Sequence, residues 1–287
     1  MEWERAKTFI LLFFVLLNLT LGGLLLLERR RYDITPEREQ AIIAIMERNN
    51  ITMDARLLRR FTPMRTINIA GFSYDIGELA GIFFGDAYVR PVATAHGYVL
   101  THGTGELVVA HGFVSYDNPE GHGGREDWIQ NLNAAQAQLL TDAFVSEHWT
   151  DFRLDDVFIG QDWIRLSYRQ VFRGYVIHTN FIELVVTERG IVQIDMQYGR
   201  VLGWDGDRQP IAAPDEALLT FVQRMRAHAL ALDSPMVITH MDLVYFQEDF
   251  SPDPDGTYRA EPAFRVFIAG DAGDPFLINA FRNEVIY

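Results

Sequence analysis

Residues 180–195 read Asn-Phe-Ile-Glu-Leu-Val-Val-Thr-Glu-Arg-Gly-Ile-Val-Gln-Ile-Asp. Two runs rich in apolar and β-branched residues flank Glu188-Arg189-Gly190, a polar connection ending in glycine. So short a connection joins antiparallel neighbours, because a parallel crossover needs about a dozen residues or more. The chain is therefore built on antiparallel hairpins.

Outward from this pair the same plan repeats. Strand patterns cover 152–159, 163–172, 175–177, 181–187 and 191–202, with a helix from about Asp127 to Glu147 before them. That helix shows Ile129, Leu132, Ala135, Ala137, Leu139, Leu140, Phe144 and Val145 as its apolar positions. A helix from Pro214 to Leu232, with Asp215 and Glu216 in its first turn, precedes strands at 237–247, 263–269, 275–278 and 284–286. Nearer the N-terminus, Thr35 is placed to cap a helix that has Pro36 at its first position and ends at Asn49-Asn50. A short helical segment is expected at 54–60, and strands at 66–69, 88–92, 97–100 and 106–109. Residues 117–125 read as a loop.

Helices packed on one face of antiparallel sheets make an α+β fold. The expected subdomains are membrane-proximal (32–118), central (125–205) and C-terminal (212–287), two or three units of helix plus sheet.

Residues 9–27, Phe-Ile-Leu-Leu-Phe-Phe-Val-Leu-Leu-Asn-Leu-Thr-Leu-Gly-Gly-Leu-Leu-Leu-Leu, contain no charge. As a helix they extend roughly 28 Å, close to the hydrocarbon thickness of a bilayer. The run is longer than a signal-peptide core, and Glu28-Arg29-Arg30-Arg31 follows with no small-x-small cleavage pattern. The expectation is an uncleaved transmembrane helix at 9–27 behind a short terminus, 1–8. Arg5 and Lys7 on one side face Arg29–Arg31 on the other, so charge leaves its orientation open. Within the run, Leu11, Val15, Asn18, Gly22 and Leu25 alternate at four- and three-residue steps. Asn18 and Gly22 thus share a face on which a small residue admits a second helix and an amide can bond to it.

The 287 residues carry a formal charge of −14; residues 1–31 contribute +2, so the remainder carries −16. So acidic a body is a poor nucleic-acid binder. There is no cysteine, which excludes disulfides, thiolate nucleophiles and Cys-based metal sites.

His96, His102, His111 and His122 lie close in sequence, and a zinc site would need three or four converging ligands. All four precede glycine in turn-like settings and no His-Glu-x-x-His motif is present, so surface histidines are the plainer reading. Asp253, Asp255 and Gly256 resemble part of a calcium loop, but Ser251 and two prolines break its register. No phosphate-cradling glycine loop or Gly-x-Ser-x-Gly elbow occurs. The acidic pair Asp155-Asp156 could serve acid–base chemistry, although in so acidic a chain such a neighbour pair arises by chance. No catalytic set, metal or cofactor is expected.

The N-terminal Met1-Glu-Trp-Glu-Arg-Ala-Lys-Thr-Phe-Ile-Leu and Leu17-Asn18-Leu19 resemble the start of the YycI (WalI) family. Further resemblance lies in Tyr168-Arg-Gln-Val-Phe-Arg-Gly-Tyr, Phe181-Ile-Glu-Leu-Val-Val-Thr, Leu243-Val-Tyr-Phe, Pro262-Ala-Phe-Arg-Val-Phe and Ile278-Asn-Ala-Phe-Arg-Asn-Glu-Val. The resemblance implies a cytoplasmic N-terminus, one membrane helix and an extracytoplasmic α+β domain. It also implies a non-enzymatic role, modulating a WalK-like sensor histidine kinase of the WalK–WalR system together with a YycH-like partner. The ending is similar to PepSY domains, which keeps a second expectation open: an anchored ligand-binding or protease-inhibitory module. A metal-dependent hydrolase using the four histidines is the third.

Overall fold

The computed structural model describes the chain apart from residues 1, 31, 72–73, 86, 88, 111, 123–128, 130, 228–234, 249–255, 271–274 and 287; the side chains at 2, 4–6, 9 and 24–30 are also outside the description. In chain order the elements are α1 (Glu2–Arg30), α2 (Pro36–Glu47), β1 (Ile51–Met53), β2 (Met64–Ala70), α3 (Ile76–Phe84), β3 (Val92–Ala93), β4 (Gly97–His102), β5 (Gly105–Ala110) and β6 (Phe113–Asp117). Then follow α4 (Ala134–His148), β7 (Phe152–Ile159), β8 (Ile164–Phe172), β9 (Tyr175–Thr187), β10 (Gly190–Gln197), β11 (Val201–Gln209) and α5 (Pro214–Ala227). β12 (Met236–Phe246), β13 (Thr257–Ile268), β14 (Phe276–Asn279) and β15 (Glu284–Val285) complete the chain.

The fold is α+β, as the hairpin at 180–195 requires. β9 and β10 pair antiparallel from Thr187↔Gly190 outward, and Gly190 takes a φ of 98° that a side chain would resist. The main path across the sheet runs β11-β2-β13-β12-β9-β10-β6-β5-β4-β3, with β7 and β8 joined through β9. β1 and β9 each pair with β12 in parallel, and the other ladders are antiparallel.

β9 spans two halves of the molecule. Its first part borders β12, and its second part borders β10. Each half has its own core. One gathers Ile42 and Met46 of α2, Ile67 and Ile69 of β2, Leu218, Phe221 and Val222 of α5, and Phe264 and Val266 of β13. The other gathers Leu79 and Phe83 of α3, Phe144 and Val145 of α4, and Leu166, Leu184 and Ile194 of the central strands. These cores cut across the expected divisions at 118/125 and 205/212. Residues 34–69 share a core with 211–280, and residues 79–116 share one with 137–196.

Local chemistry accounts for the helix ends. Thr35 accepts a hydrogen bond from the Arg38 amide and Pro36 opens α2, as the sequence indicates. Arg38 then grips Asp215 at 2.8 and 2.9 Å, tying α2 to α5. α4 begins at Ala134, not near Asp127, because Asn133 and Gln136 form a reciprocal capping box there. Residues 54–60 are irregular rather than helical. α3 falls in a stretch expected to hold only strands; Asp75 caps it by accepting bonds from Gly77 and Glu78. Residues 228–232 of the expected C-terminal helix lie outside the described residues.

α1 is helical through the apolar run, with Ile10, Leu11, Leu12, Phe13, Phe14, Val15, Leu16, Leu17, Leu19 and Leu21 exposed. Among the described residues no helix is long and apolar enough to cross a membrane. The described side chains of the run cover 10–23, about 21 Å of helix against the roughly 30 Å of a bilayer core. The expected span at 9–27 is therefore a helix whose crossing of a membrane is not shown.

Candidate functional site

The two halves meet at three strand irregularities. In β7 the pairing with β8 skips Asp155, and in β12 the pairing with β13 skips Thr239. In β9 the ladder with β8 jumps from Phe181 to Ile177, leaving His178, Thr179 and Asn180 out of register. A regular strand alternates inward and outward side chains; here three consecutive polar residues are buried, at 8%, 7% and 0% exposure. Bulges re-aim side chains and are common beside functional sites.

The bulged residues converge on a buried arginine. Arg265 of β13, 2% exposed, donates to Asp155 at 2.5 and 2.8 Å and to Asp242 of β12 at 3.0 and 2.7 Å. Burial opposes the charge, but the two carboxylates outweigh it and raise the guanidinium pKa. Arg169 of β8 reaches Glu183 at 3.3 Å and Asp155 at 3.8 Å, with its guanidinium 5.1 Å from the centre of the Phe181 ring.

His178 sits between the two arginines, its Nδ1 3.5 Å from Arg265 Nη1. A guanidinium only donates, so Nδ1 is the acceptor and the ring proton belongs on Nε2. Burial first, then the charges of Arg169 and Arg265, push the His178 pKa down to about 2. A histidine held neutral in this way is a poor proton acceptor and a stable hydrogen-bond donor. Asn180 donates to Gln170 Oε1 at 2.6 Å and to the Gly199 carbonyl at 3.0 Å, while its own Oδ1 and the Thr179 Oγ1, both buried, have no hydrogen-bond partner among the described residues.

Two clefts open beside this network. One, of about 270 Å³, has Asp155, Arg169, His178, Thr239 and Arg265 among its lining residues. The other, of about 440 Å³, has His178, Thr179 and Gln197 among its polar residues and Phe181, Phe246, Phe276 and Leu277 among its apolar ones. Together they offer fixed hydrogen-bond donors, paired charges and aromatic walls, which suits binding rather than proton transfer.

The residues singled out from sequence lie elsewhere. Leu11 and Val15 are 67% and 50% exposed on α1, Asn18 is exposed, and a Cβ at Gly22 would meet nothing within 4 Å. The Leu25 side chain is outside the described residues, as are His111, Asp253 and Asp255. His96 and His102 are exposed, whereas His122 packs against Tyr116 and Phe144 with ring centres 5.7 and 5.1 Å away. Burial lowers the His122 pKa, with a smaller contribution from His148. Among the described residues no three His, Asp or Glu side chains are grouped to hold a metal ion. Of the pair Asp155-Asp156, Asp155 is drawn into the Arg265 network. Arg265 itself, Arg169 and the His178–Asn180 bulge escaped the sequence reading. The available signals were an arginine inside the apolar run Ala263-Phe-Arg-Val-Phe and a polar trio interrupting an otherwise apolar strand.

No protein-family model and no curated protein sequence matches this chain. Solved structures do. An uncharacterised protein from Eubacterium rectale superposes with a TM-score of 0.55 at 11% identity, over 82% of this chain and 90% of that one. The C-terminal domain of YpeB from Bacillus megaterium gives 0.41 at 10% identity, over 76% and 97%. YycH from Bacillus subtilis gives 0.48 at 13% identity, over 80% of this chain and 55% of that one. The Eubacterium rectale likeness is one of fold.

Proposed function

We propose that this chain is a membrane-anchored, non-catalytic regulator. α1 is its anchor, residues 1–8 are cytoplasmic, and the α+β body lies outside the membrane on the extracytoplasmic side. The observation that carries the reading is the row of exposed apolar side chains on α1, from Ile10 to Leu17 with Leu19 and Leu21. A continuous apolar surface of this kind is costly in water and favourable in lipid. The sequence resemblance to the YycI family supplies the pathway: a WalK-like sensor histidine kinase, engaged together with a YycH-like protein.

The Asn18–Gly22 face is the contact we assign to partner helices. An amide in hydrocarbon gains from bonding across to another helix, by about 0.6–2 kcal/mol, and Gly22 leaves room for close approach. The body contributes a second surface and no chemistry of its own.

Co-purification from membranes tests this. The wild-type chain should bring down a histidine kinase, and Asn18→Leu with Gly22→Leu should reduce the recovery while leaving the chain in the membrane. Equal recovery with both helices would sink the helix-contact assignment.

A further inference from the structure

We propose that the cleft at the end of the central sheet binds a neutral oligosaccharide, with Trp163 as the platform for one of its pyranose rings. The cleft, of about 840 Å³, is formed by the β7–β8 and β9–β10 turns, the end of β6 and the start of α4. It is near the upper end of the range for small-molecule sites, so a short chain of sugars suits it better than a single ring.

Trp163 lines this cleft and is 37% exposed, beside Ile159 at 65%. The indole is held in place. It stacks on Phe158 with ring centres 5.4 Å apart, and it takes the space that a side chain at Gly160 would fill, since a Cβ there would lie 2.5 Å from the ring. The Gly160 amide donates to the Trp163 carbonyl at 2.9 Å, closing the turn around the pair. A flat ring positioned before the ligand arrives loses little freedom on binding. Its electron-rich face suits the C–H face of a pyranose.

The polar groups around the ring are reachable and uncommitted. Asp117, Asn131, Gln161, Asp162 and Glu188 all line the cleft and are exposed, and none of their side chains is hydrogen-bonded to another described residue. Carboxylates accept, while the two amides donate and accept, which matches hydroxyls that do both. Three carboxylates disfavour an anion, and the Arg189 guanidinium, also in the cleft, donates to the Pro119 carbonyl at 3.1 Å. A purely apolar ligand would strip water from all five groups and return no hydrogen bond. An organic cation would use the carboxylates but neither amide N–H. A sugar uses the ring, the acceptors and the donors together. The inference stands apart from the anchored-regulator reading, since it needs neither α1 nor a kinase.

The test titrates the full chain in lipid nanodiscs with cellotetraose, whose ring substituents are all equatorial, with spermine as a competing organic cation. One-site saturable binding of cellotetraose is expected, and spermine at equal concentration should not displace it. Trp163→Ala should weaken binding about tenfold, while Trp163→Phe, which keeps a flat ring, should stay within about threefold of wild type. Gly160→Ala should also weaken it, because the added methyl shifts the indole without removing it. Asp162→Asn, which removes a charge and keeps an acceptor, should retain binding. The proposal is overturned if cellotetraose shows no saturable binding at millimolar concentration, if Trp163→Ala binds it as tightly as wild type, or if spermine displaces it.

Discussion

Asp155 and Arg265 are joined by two hydrogen bonds, at 2.5 and 2.8 Å, between strands that lie 110 residues apart in sequence. Asp155 reaches the arginine because it is the residue that β7 leaves out of its ladder with β8. The pair ties the central strands to the C-terminal ones, and its removal should be felt throughout the fold. Taking away one partner leaves the other charge buried with its remaining partner alone, a loss of about 3–5 kcal/mol. Asp155→Ala should therefore lower the urea midpoint by that equivalent. A double-mutant cycle with Arg265→Met should show that the two losses are far from additive.

His178 gives stability a pH dependence of definite sign. Its folded pKa, about 2, is far below the 6.5 of the free side chain, so below pH 6.5 the unfolded chain binds a proton that the folded chain refuses. The contribution is intact above pH 6.5 and is lost progressively down to about pH 2. Between pH 6.5 and 4.5 the loss from this residue is on the order of 2–3 kcal/mol. His178→Asn should flatten the stability–pH curve in that window, read from urea unfolding at a series of pH values. Equal slopes for the two proteins would count against the buried neutral histidine.

Thr179 should cost the fold stability. Its unpartnered hydroxyl is a desolvation cost of about 1–2 kcal/mol, which Thr179→Val removes. The variant should melt slightly higher than wild type. A lower melting temperature would mean that the hydroxyl is satisfied after all.

The capping box of α4 offers a local control. Asn133→Ala removes the acceptor for the Gln136 amide and should cost about 1 kcal/mol. Thermal unfolding checks it, and an unchanged midpoint would count against the capping box.

The legible parts of this fold are those that local chemistry controls. The β9–β10 hairpin, the Thr35-Pro36 start of α2 and the Pro214 start of α5 stand in the sequence because turns and caps use specific residues in fixed order. α3 was hidden by Gly77, Gly81 and a run of apolar residues that reads equally well as strand, with only Asp75 to signal its cap. The expected helix at 54–60 failed because its only support was composition, while Asp54 and Ala55 instead bond the Ile238 carbonyl next to β12. The two cores mix early and late segments, and no local pattern encodes that pairing.

The bulge site shows the same limit more sharply. His178-Thr179-Asn180 reads as a break between 175–177 and 181–187, yet β9 runs through it as one strand. Polar residues interrupt an apolar pattern both at strand ends and at buried bulges, and only the partner strands decide which. Asp155 and Arg169 stand on the neighbouring strands β7 and β8, but Arg265 comes from β13, 110 residues after Asp155, so its meeting with them is a property of the topology.

The placement of the chain in a membrane is tested most directly by thiol labelling, because the sequence has no cysteine of its own. Single cysteines at Asp207→Cys, exposed on β11, and at Trp3→Cys, exposed near the start of α1, would be treated with a membrane-impermeant maleimide in intact cells. The account predicts that the chain sediments with membranes, that position 207 labels at once, and that position 3 labels only after permeabilisation. Labelling of position 3 in intact cells, protection of position 207 or recovery of the chain in the soluble fraction would contradict it.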